Sequence, residues 1–428
     1  MIPRHEQCRN ARPNAIRRNA AIRLVAGAVV SCGLLVAADG SHADEPVSAR
    51  ILLNDGSWRS GVLESIDGDG WRVSGSRIPN DEVIAFETTA RSGLLDGSLP
   101  SGAAVVELDD GQLLPGLLKI SLGKATWDHR WIGAIPVDFD RIALIRFTGR
   151  RTPERSPSGD RILLANGDLL EGFVASLAHD LEFEPLGSTT ADGADTGTGG
   201  GARKVPIERV SAIAFAAAEA AGSGAPLLTT ADGSRVRGGN IRFSADGGWS
   251  FMLADPLLSS VRPRTRDNIA PSIVRGFIHP DRVHPLASLG DPVASVPEGQ
   301  FHYGITQGAR ATRSIDRRGL VSPIAIDGPV SLRYDLSRLG ADTTGDRLFT
   351  AEVSLAEPVP DDARVEFMVA VGRDRSERIV LDARNPRQTV VVRGAADAPI
   401  LEIAVLDGGN GIVGDSIVLD GACIITGR

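Results

Sequence analysis

The sequence predicts an all-β protein in which tandem small β-barrels are followed by an antiparallel β-sandwich of the jelly-roll type. Three observations support this prediction. A turn motif recurs four times in the first two thirds of the chain, and runs of alternating apolar and polar residues fill the last third. A polar stretch with two prolines, residues 290–299, separates the two parts. The short strands are bounded by Gly, Pro, Asp and Asn, which are typical of turns.

Residues 1–43 have the pattern of a secretion signal. Six arginines precede an apolar run at residues 24–38, and Ser41 and Ala43 occupy the positions that a signal peptidase reads. We expect cleavage before Asp44 and a protein that is periplasmic, at the cell surface or secreted. A lipid anchor at Cys32 is the less favoured alternative, because apolar residues follow it where a polar tether is expected. No later segment approaches the roughly 20 apolar residues of a membrane helix, so we expect no integral membrane segment after cleavage.

Charge and cysteine content narrow the possible partners. The chain has 46 basic and 54 acidic residues, and without residues 1–43 the balance is 40 to 52, a net charge near −12. Such a surface repels phosphate backbones and anionic headgroups, which excludes nucleic acid as an expected partner. Cys8 and Cys32 leave with the signal, so Cys423 remains alone and is predicted to be a small buried apolar residue.

The turn motif has the form [D/N]-G-x4-G, and its turn glycines are 55, 56 and 66 residues apart. Its four copies begin at Asp55, Asp110, Asn166 and Asp232. Self-similarity at this period indicates repeated small units. The longest interval contains residues 187–201, a Gly-, Thr- and Asp-rich insertion whose composition is that of a flexible loop.

Each unit has the same order of short strands. An apolar strand enters the Asp-Gly or Asn-Gly turn, which demands a positive φ, and a second strand returns with a glycine that allows a sharp bend. A proline and an apolar strand close the unit, as at residues 83–86, 142–147, 210–215 and, less clearly, 273–277. This order resembles small Sm-like or SH3-like barrels. We place the units at residues 44–103, 104–158, 159–224 and 225–292, the last being degenerate.

The RNA-binding Asp of Sm-type proteins is matched by Asp67 in the first unit, but by Leu122 and Ala178 in the next two. Together with the negative charge, this pattern favours units that act as spacers or protein-contact modules and do not bind RNA.

The last third, residues 293–428, has the period-two pattern of strands with one buried face. Apolar residues alternate with polar ones around Leu332, Phe367 and Ile403. Several such strands between turn residues predict an antiparallel sandwich. Tyr334, Phe349 and Phe367 fall on its inward positions.

From about Val283 onward the chain resembles the NPCBM family, a carbohydrate-binding module with a galactose-binding-like fold. The matching segments are residues 283–289, 314–317, 330–336, 349–353, 364–369 and 414–422. Similar modules after repeats of this type occur in exported proteins of planctomycete-like bacteria. The resemblance implies a jelly roll that recognises polysaccharide or glycoprotein.

Where family members often carry a Trp in the last strand, this chain has Leu419. Because the aromatic residues of the predicted sandwich are few and mostly inward, we expect any sugar contact to come from the polar loops at residues 304–310 and 407–415. The candidate ligand-binding residues are Tyr303, Arg310, Asp407, Asn410 and Asp415. The last three are also weak candidates for a Ca²⁺ site, although tight turns use the same residue types. No other cofactor is expected.

Motifs of catalysis are missing from the sequence. It contains no Gly-x-Ser-x-Gly elbow, P-loop or dinucleotide fingerprint. The adjacent acids Asp109-Asp110 and Asp361-Asp362 lie at turns, and we interpret both pairs as solvated turn acids. The sequence therefore predicts an exported, non-enzymatic binding protein. The alternative is a structural component that contacts other envelope proteins through a degenerate sugar module.

Overall fold

The structure is a computed structural model. It describes residues 46–88, 104–121, 124–129, 132–147, 151–186, 202–216, 224–254, 265–269, 273–297, 312–314, 323–339, 345–376, 378–409 and 416–427. Tyr303, Arg310, Asn410 and Asp415 lie outside these residues. Within them no helix is long and apolar enough to cross a membrane.

The described residues form strands joined by turns and by short 3-10 helices at Phe139–Arg141, Ile207–Arg209, Leu286–Ser288 and Ser337–Leu339. The strands are β1 (Ser48–Leu53), β2 (Trp58–Asp67), β3 (Gly70–Val73), β4 (Ser76–Ile78), β5 (Val83–Thr88), β6 (Ala104–Leu108), β7 (Leu113–Ser121), β8 (Lys124–His129), β9 (Gly133–Pro136), β10 (Ile142–Arg146), β11 (Asp160–Leu164), β12 (Leu169–Leu177), β13 (Asp180–Pro185), β14 (Arg203–Pro206), β15 (Val210–Ala214), β16 (Leu227–Thr230), β17 (Arg235–Ser244), β18 (Gly248–Leu253), β19 (Thr265–Ile269), β20 (Val274–Ile278), β21 (Val283–Pro285), β22 (Val293–Ser295), β23 (Thr312–Ser314), β24 (Ile324–Asp327), β25 (Val330–Asp335), β26 (Arg347–Leu355), β27 (Arg364–Val371), β28 (Asp374–Arg375), β29 (Ile379–Asp382), β30 (Arg387–Gly394), β31 (Ile400–Asp407) and β32 (Ser416–Ile425). The predicted all-β class with antiparallel sheets is confirmed.

The two glycines of the repeated motif have separate structural roles. The turn glycines have φ between +82° and +93°, the left-handed region that the motif predicts. They are Gly56, Gly111, Gly167 and Gly233. The second glycines are required because the next strand or a core side chain passes directly over them. A Cβ at Gly172 would lie 2.2 Å from the carbonyl oxygen of Glu184, and one at Gly116 would lie 2.6 Å from the Trp127 ring nitrogen. The motif therefore encodes both a turn and a close crossing.

The same strand order occurs four times. In repeat 1 (β1–β5), the first strand pairs with the second and the fifth, and the second, third and fourth pair in turn. Repeats 2 (β6–β10), 3 (β11–β15) and 4 (β16–β20) have the same pairings. This set of pairings therefore recurs four times among the described strands, whereas the bounds of the predicted units and their closure into barrels stay predictions.

The repeats associate in two pairs. Repeats 2 and 3 are consecutive in sequence, whereas repeats 1 and 4 are not. The fifth strands of repeats 1 and 4 pair with Phe86 opposite Phe277, and those of repeats 2 and 3 pair with Ile145 opposite Ile213. In each pair the fifth strand of one repeat runs antiparallel to the fifth strand of the other, with equivalent residues opposite each other. The two repeats of a pair are therefore related by a local two-fold arrangement. Strand β17 of repeat 4 also pairs with β2 of repeat 1 and with β7 of repeat 2, which links the two pairs.

A buried polar network reinforces the contact between repeats 2 and 4. The Arg237 guanidinium donates to the Asp110 carboxylate at 3.1 Å and to the Asp110 carbonyl at 2.9 Å. Arg141 lies 3.3 Å from Asp109, and His129 and Ser234 form a 2.9 Å hydrogen bond within the same contact. The side chains of Asp109 and Asp110 are only 6% and 2% exposed. The interpretation of this acid pair as solvated turn residues was therefore wrong, because tertiary packing brings two arginines over it.

The C-terminal sandwich consists of two antiparallel sheets. Sheet I has the order β23-β24-β32-β26-β30, with β21 also on β32, and sheet II has the order β22-β25-β31-β27-β28, with β29 on β27. Inward side chains of both sheets form one core that includes Tyr334, Phe349, Phe367, Ile403 and Leu419. The predicted inward positions of the three aromatic residues are confirmed. Burial raises the pKa of Tyr334 above its ordinary value, which keeps its hydroxyl protonated.

The outer side of sheet I rests on the outer side of the repeat 1·4 pair. An apolar cluster joins Leu52, Ile84 and Ile278 of the repeats to Leu348 and Cys423 of the sandwich. Polar contacts fix the register of this joint. Thr350 Oγ1 donates to the Gly56 carbonyl at 2.7 Å, and the Arg50 guanidinium lies 2.6 Å from the Asp420 carboxylate. Cys423 is fully buried there, as predicted, and burial raises the pKa of its thiol to about 12.

Candidate functional site

Both loops that the sequence proposed for ligand contact begin and end at the same end of the sandwich. Strand β31 ends at Asp407 and β32 begins at Ser416, opposite Asp327. Strand β22 ends at Ser295, opposite Ser331, and β23 begins at Thr312, opposite Ile326. The connections that contain Tyr303, Arg310, Asn410 and Asp415 therefore leave and re-enter the described structure at one place.

Three further connections belong to this end, which we call the loop end. They are the turn at residues 328–329, the segment at residues 356–363 and the turn at residues 383–386. Strand register places them together, since Leu355 is opposite Ile417 and Asp382 is opposite Arg364. The joint with the repeats covers the outer face of sheet I from the other end of the same strands, where Leu348 is opposite Ile425, as far as Asp420, which is opposite Glu352. The eight residues from Leu348 to Leu355 span roughly 23 Å at the usual rise of a strand.

Carboxylates organise the described backbone of the loop end. Ser416 Oγ donates to Asp327 Oδ1 at 2.7 Å, which ties sheet I to the turn that enters sheet II. Asp407 Oδ1 accepts from the Gly409 N–H at 2.8 Å. Asp382 Oδ1 accepts from the N–H groups of Arg384 and Asn385 at 2.9 and 2.7 Å. These are short-range turn contacts of the kind that Asp makes in tight loops.

The loop end is polar and acidic at its surface. Asp327, Asp361 and Asp362 are exposed, and Asp407 is half-buried. The exposure of Asp361 and Asp362 confirms that they are solvated turn acids. Because carboxylates accept hydrogen bonds from pairs of hydroxyl groups, this surface can recognise a polyhydroxylated ligand without an aromatic platform.

The sequence pointed to Asp407 but missed Asp327 and Ser416. Asp327 stands in an Asp-Gly-Pro turn and Ser416 begins the last strand. They are 89 residues apart, so only the pairing of β24 with β32 brings them together. The sequence indicates a turn at residues 327–329, but it does not indicate that Ser416 lies beside this turn.

Metal binding is not supported by the described residues, among which no group of three or more His, Cys, Asp or Glu could hold an ion. The Ca²⁺ candidate at Asp407, Asn410 and Asp415 stays a prediction, because two of its three residues lie outside the described structure. Two shallow concavities of the described surface lie in the repeats. One is lined by Asn54, Asp55, Asp81, Glu82 and Arg282, and the other by Glu107, Asp109, Leu144, Pro153 and Arg155.

No protein-family model matches the chain, and neither does any curated protein. Among solved structures, a CBM51 module of a Clostridium perfringens GH95 protein, in complex with methyl-galactose, has a TM-score of 0.25 and 19% identity. The match covers 33% of this chain and 99% of that one. Tandem CBM51 modules of a family 98 glycoside hydrolase from Streptococcus pneumoniae have a TM-score of 0.23 and 11% identity, covering 89% and 88%.

A third similar structure contains the second CBM51 module and INT domains of Clostridium perfringens ZmpB, in complex with GlcNAc. Its TM-score is 0.25 and its identity 16%, and the match covers 44% of this chain and 38% of that one. All three structures contain carbohydrate-binding modules. Scores this low carry no argument about the function of this chain, so the candidate site stands on its own geometry.

Proposed function

We propose that the protein is an exported, non-enzymatic binding protein that recognises carbohydrate or glycoprotein through the loop end of its NPCBM-like sandwich. The observation that supports the proposal is that the strands flanking both predicted loops end and begin at one polar end of the sandwich, away from the end that is anchored to the repeats. Anchoring one end orders the scaffold in advance, which lowers the entropic cost of binding at the other end.

Polar groups at the loop end suit a saccharide ligand. The exposed Asp327 carboxylate lies beside Ser416, and the Asp407 turn lies on the neighbouring sheet. The inward position of Tyr334, Phe349 and Phe367 means that these rings offer no stacking surface. Recognition would then depend on hydrogen bonds, which discriminate between hydroxyl arrangements but give modest affinity.

A glycan array with the full chain, followed by calorimetry, tests this proposal. Galactose and N-acetylglucosamine are suitable first probes, and we expect a small set of glycans to bind. Asp327→Asn and Asp407→Asn should each weaken binding about tenfold, the equivalent of one charge-assisted hydrogen bond. Asp346→Asn is the matched control, because Asp346 is an exposed acid near the other end of sheet I. A flat array would overturn the carbohydrate proposal.

The non-enzymatic part of the proposal has its own test. Glycans that bind should be recovered intact after long incubation with the protein, and release of product would contradict the assignment. Export is tested by sequencing the N-terminus of the protein from its native cells. We expect Asp44 as the first residue, whereas a lipid-modified Cys32 would establish the anchored alternative.

A structural role in the envelope is the second candidate. The observation that favours it is a group of exposed apolar side chains on repeat 3, namely Leu169, Phe173 and Leu186. Pull-down of envelope proteins, together with a flat glycan array, would favour this role over sugar binding.

A further inference from the structure

His129 ends strand β8 and is buried where repeat 2 meets repeat 4. Only 1% of this residue is exposed, and Ser234, in the turn between β16 and β17, is fully buried beside it. The His129 ring Nδ1 accepts from the Ile132 N–H at 3.2 Å, and its Nε2 lies 2.9 Å from Ser234 Oγ. Both ring nitrogens therefore have hydrogen-bond partners in a buried contact.

These contacts fix the position of the ring proton. A backbone N–H can only donate, so Nδ1 presents a lone pair to Ile132, and the proton of the neutral ring lies on Nε2. Nε2 then donates to Ser234 Oγ, and the Ser234 hydroxyl donates to Asp232 Oδ1 at 2.6 Å. The donors of Ile132, His129 and Ser234 thus all point toward the Asp232 carboxylate.

The same three residue types form catalytic triads, but this row of hydrogen bonds runs in the opposite direction. In a triad the His ring accepts the Ser proton, whereas here the His129 ring donates to Ser234. Burial of both side chains also keeps them away from any substrate. The arrangement therefore belongs to the contact between the two repeats and not to a catalytic centre.

Most charged groups around this contact are offset by a partner. The described ones are Asp109, Asp110, Arg141, Asp232, Arg235 and Arg237. Arg237 lies 3.1 Å from Asp110, and Arg141 lies 3.3 Å from Asp109. Arg235 is exposed, and Asp128, which precedes His129 on β8, pairs with Lys119. Asp232 is therefore the described carboxylate that most favours a positive charge on the ring.

Hydrogen bonds already satisfy the Asp232 carboxylate. Its Oδ1 accepts from the Ser234 N–H at 3.0 Å and from the hydroxyl groups of Ser234 and Thr230, both at 2.6 Å. Burial raises the pKa of Asp232, but these hydrogen bonds outweigh it and hold the pKa below its ordinary value. Asp232 therefore stays ionised at mildly acidic pH, and its charge reaches His129 only through the Ser234 hydroxyl.

A second proton on the His129 ring conflicts with this contact. It would bind to Nδ1, where it faces the Ile132 N–H, so that two donors would meet. The ring would also carry a positive charge in a site where only 1% of the residue is exposed, and a buried charge without a direct partner is costly. The neutral ring therefore fits the closed contact, and the protonated ring does not.

We propose that the contact between repeats 2 and 4 is an acid-sensitive switch, in which proton uptake by His129 breaks the hydrogen bond from Ile132 and opens the contact. The Arg237 N–H donates to Gln112 Oε1 at 2.8 Å in the same contact, so opening also exposes this backbone group. The contact is closed above the ordinary histidine pKa of about 6.5 and opens as the pH falls below it. Acid thereby loosens the link between the 1·4 and 2·3 pairs.

Amide hydrogen exchange of the full chain at about pH 7.5 and about pH 5, corrected for intrinsic exchange rates, tests the proposal. The Ile132 and Arg237 amides report on the contact, because they donate to His129 and Gln112. We expect their protection to fall about tenfold at the lower pH, the equivalent of one buried hydrogen bond. Amides at the junction of repeats 2 and 3, around Ile145, should keep their protection.

Substitution of the ring separates proton uptake from other effects of acid. His129→Gln keeps a side chain that can donate to Ser234 but does not titrate, so protection of the Arg237 amide should no longer depend on pH. His179→Gln is the matched control, because His179 is exposed in a turn of repeat 3, and it should keep the pH dependence of the unsubstituted chain.

A second measurement uses the unsubstituted chain and does not depend on the folding of a variant. NMR of the chain with ¹⁵N-labelled histidine should show the His129 ring, identified by its contact with the Ile132 N–H, with its proton on Nε2 at neutral pH. Protonation of this ring and loss of protection should share one midpoint. Protection that is unchanged at pH 5, a pH dependence that persists in His129→Gln, or a neutral ring with its proton on Nδ1 would each overturn the proposal.

Discussion

The repeat 1·4 pair and the repeat 2·3 pair share one strand order but differ in what fills and covers them. In the 1·4 pair, Phe86 lies 5.1 to 5.3 Å, between ring centres, from Trp71, Phe277 and Trp249. In the 2·3 pair the equivalent centre is Ile145 opposite Ile213. The sandwich covers the outer face of the 1·4 pair, whereas the repeat 3 part of the other pair exposes apolar side chains. One backbone plan thus supports a docked pair with an aromatic junction centre and an open pair with an aliphatic junction centre.

The largest difference in unfolding free energy between the two pairs should appear when the side chain at each junction centre, Phe86 or Ile145, is truncated to Ala. Phe86→Ala removes a fully buried ring from the aromatic cluster and should lower the free energy of unfolding by about 4 kcal/mol. Ile145→Ala, at the equivalent position of the other pair, should cost about 3 kcal/mol. Urea denaturation followed by tryptophan fluorescence measures both. An equal or larger effect at Ile145 would show that the aromatic cluster is not what distinguishes the pairs.

The link between the pairs depends on Arg237. Arg237→Met leaves the buried Asp110 carboxylate without its nearest cation and should destabilise the protein by about 3 kcal/mol in urea denaturation. The double variant Asp110→Asn with Arg237→Met should recover much of this loss, because it removes the unpaired charge. Arg141→Met serves as a milder comparison, since the Arg141 side chain is 26% exposed. No recovery in the double variant would contradict the electrostatic explanation.

The joint between the 1·4 pair and the sandwich should be weakened by substitution of Thr350. Thr350→Val removes the buried hydrogen bond to the Gly56 carbonyl and should cost about 1 kcal/mol of unfolding free energy. Thr389→Val on the exposed side of β30 is the matched control and should change stability little. If both substitutions cost the same, the Thr350 hydrogen bond does not contribute to docking.

A small pH effect should also arise at the joint between the docked pair and the sandwich. Burial lowers the pKa of His284, with Arg347 acting in the same direction and Asp281 opposing it, and the ring Nε2 lies 3.0 Å from Thr426 Oγ1. Because the folded protein resists protonation of this ring, stability is full above the ordinary histidine pKa of about 6.5 and falls as the pH decreases through and below it. His279 in the preceding turn shifts in the same direction, with Arg282 and Asp281 as the neighbouring charges.

Melting temperature from pH 8 to pH 5 measures this effect. His284→Gln should flatten part of the decrease, because an amide does not titrate in this range. His179→Gln, in the turn between β12 and β13 of the open pair, is the control and should leave the profile unchanged. An unchanged profile in the His284 variant would remove this histidine from the explanation.

Local chemistry in the sequence determined the elements of this protein. The Asp-Gly and Asn-Gly turns, the second glycines, the closing apolar strands and the period-two strands of the last third all appear where their residues predict them. These features depend on φ preferences and on side-chain alternation, which act over a few residues. The sequence likewise predicted that Tyr334, Phe349 and Phe367 lie inside the sandwich.

Only the tertiary structure decided which elements meet. Nothing in the spacing of the motifs indicates that repeat 1 pairs with repeat 4, that Asp110 is buried under Arg237, or that Asp327 bonds to Ser416. These contacts join residues 89 to about 190 positions apart, and they are chosen by the fit of whole surfaces. For the same reason the sequence could propose two polar loops as a site, but only strand register showed that both start and finish at one end of the sandwich.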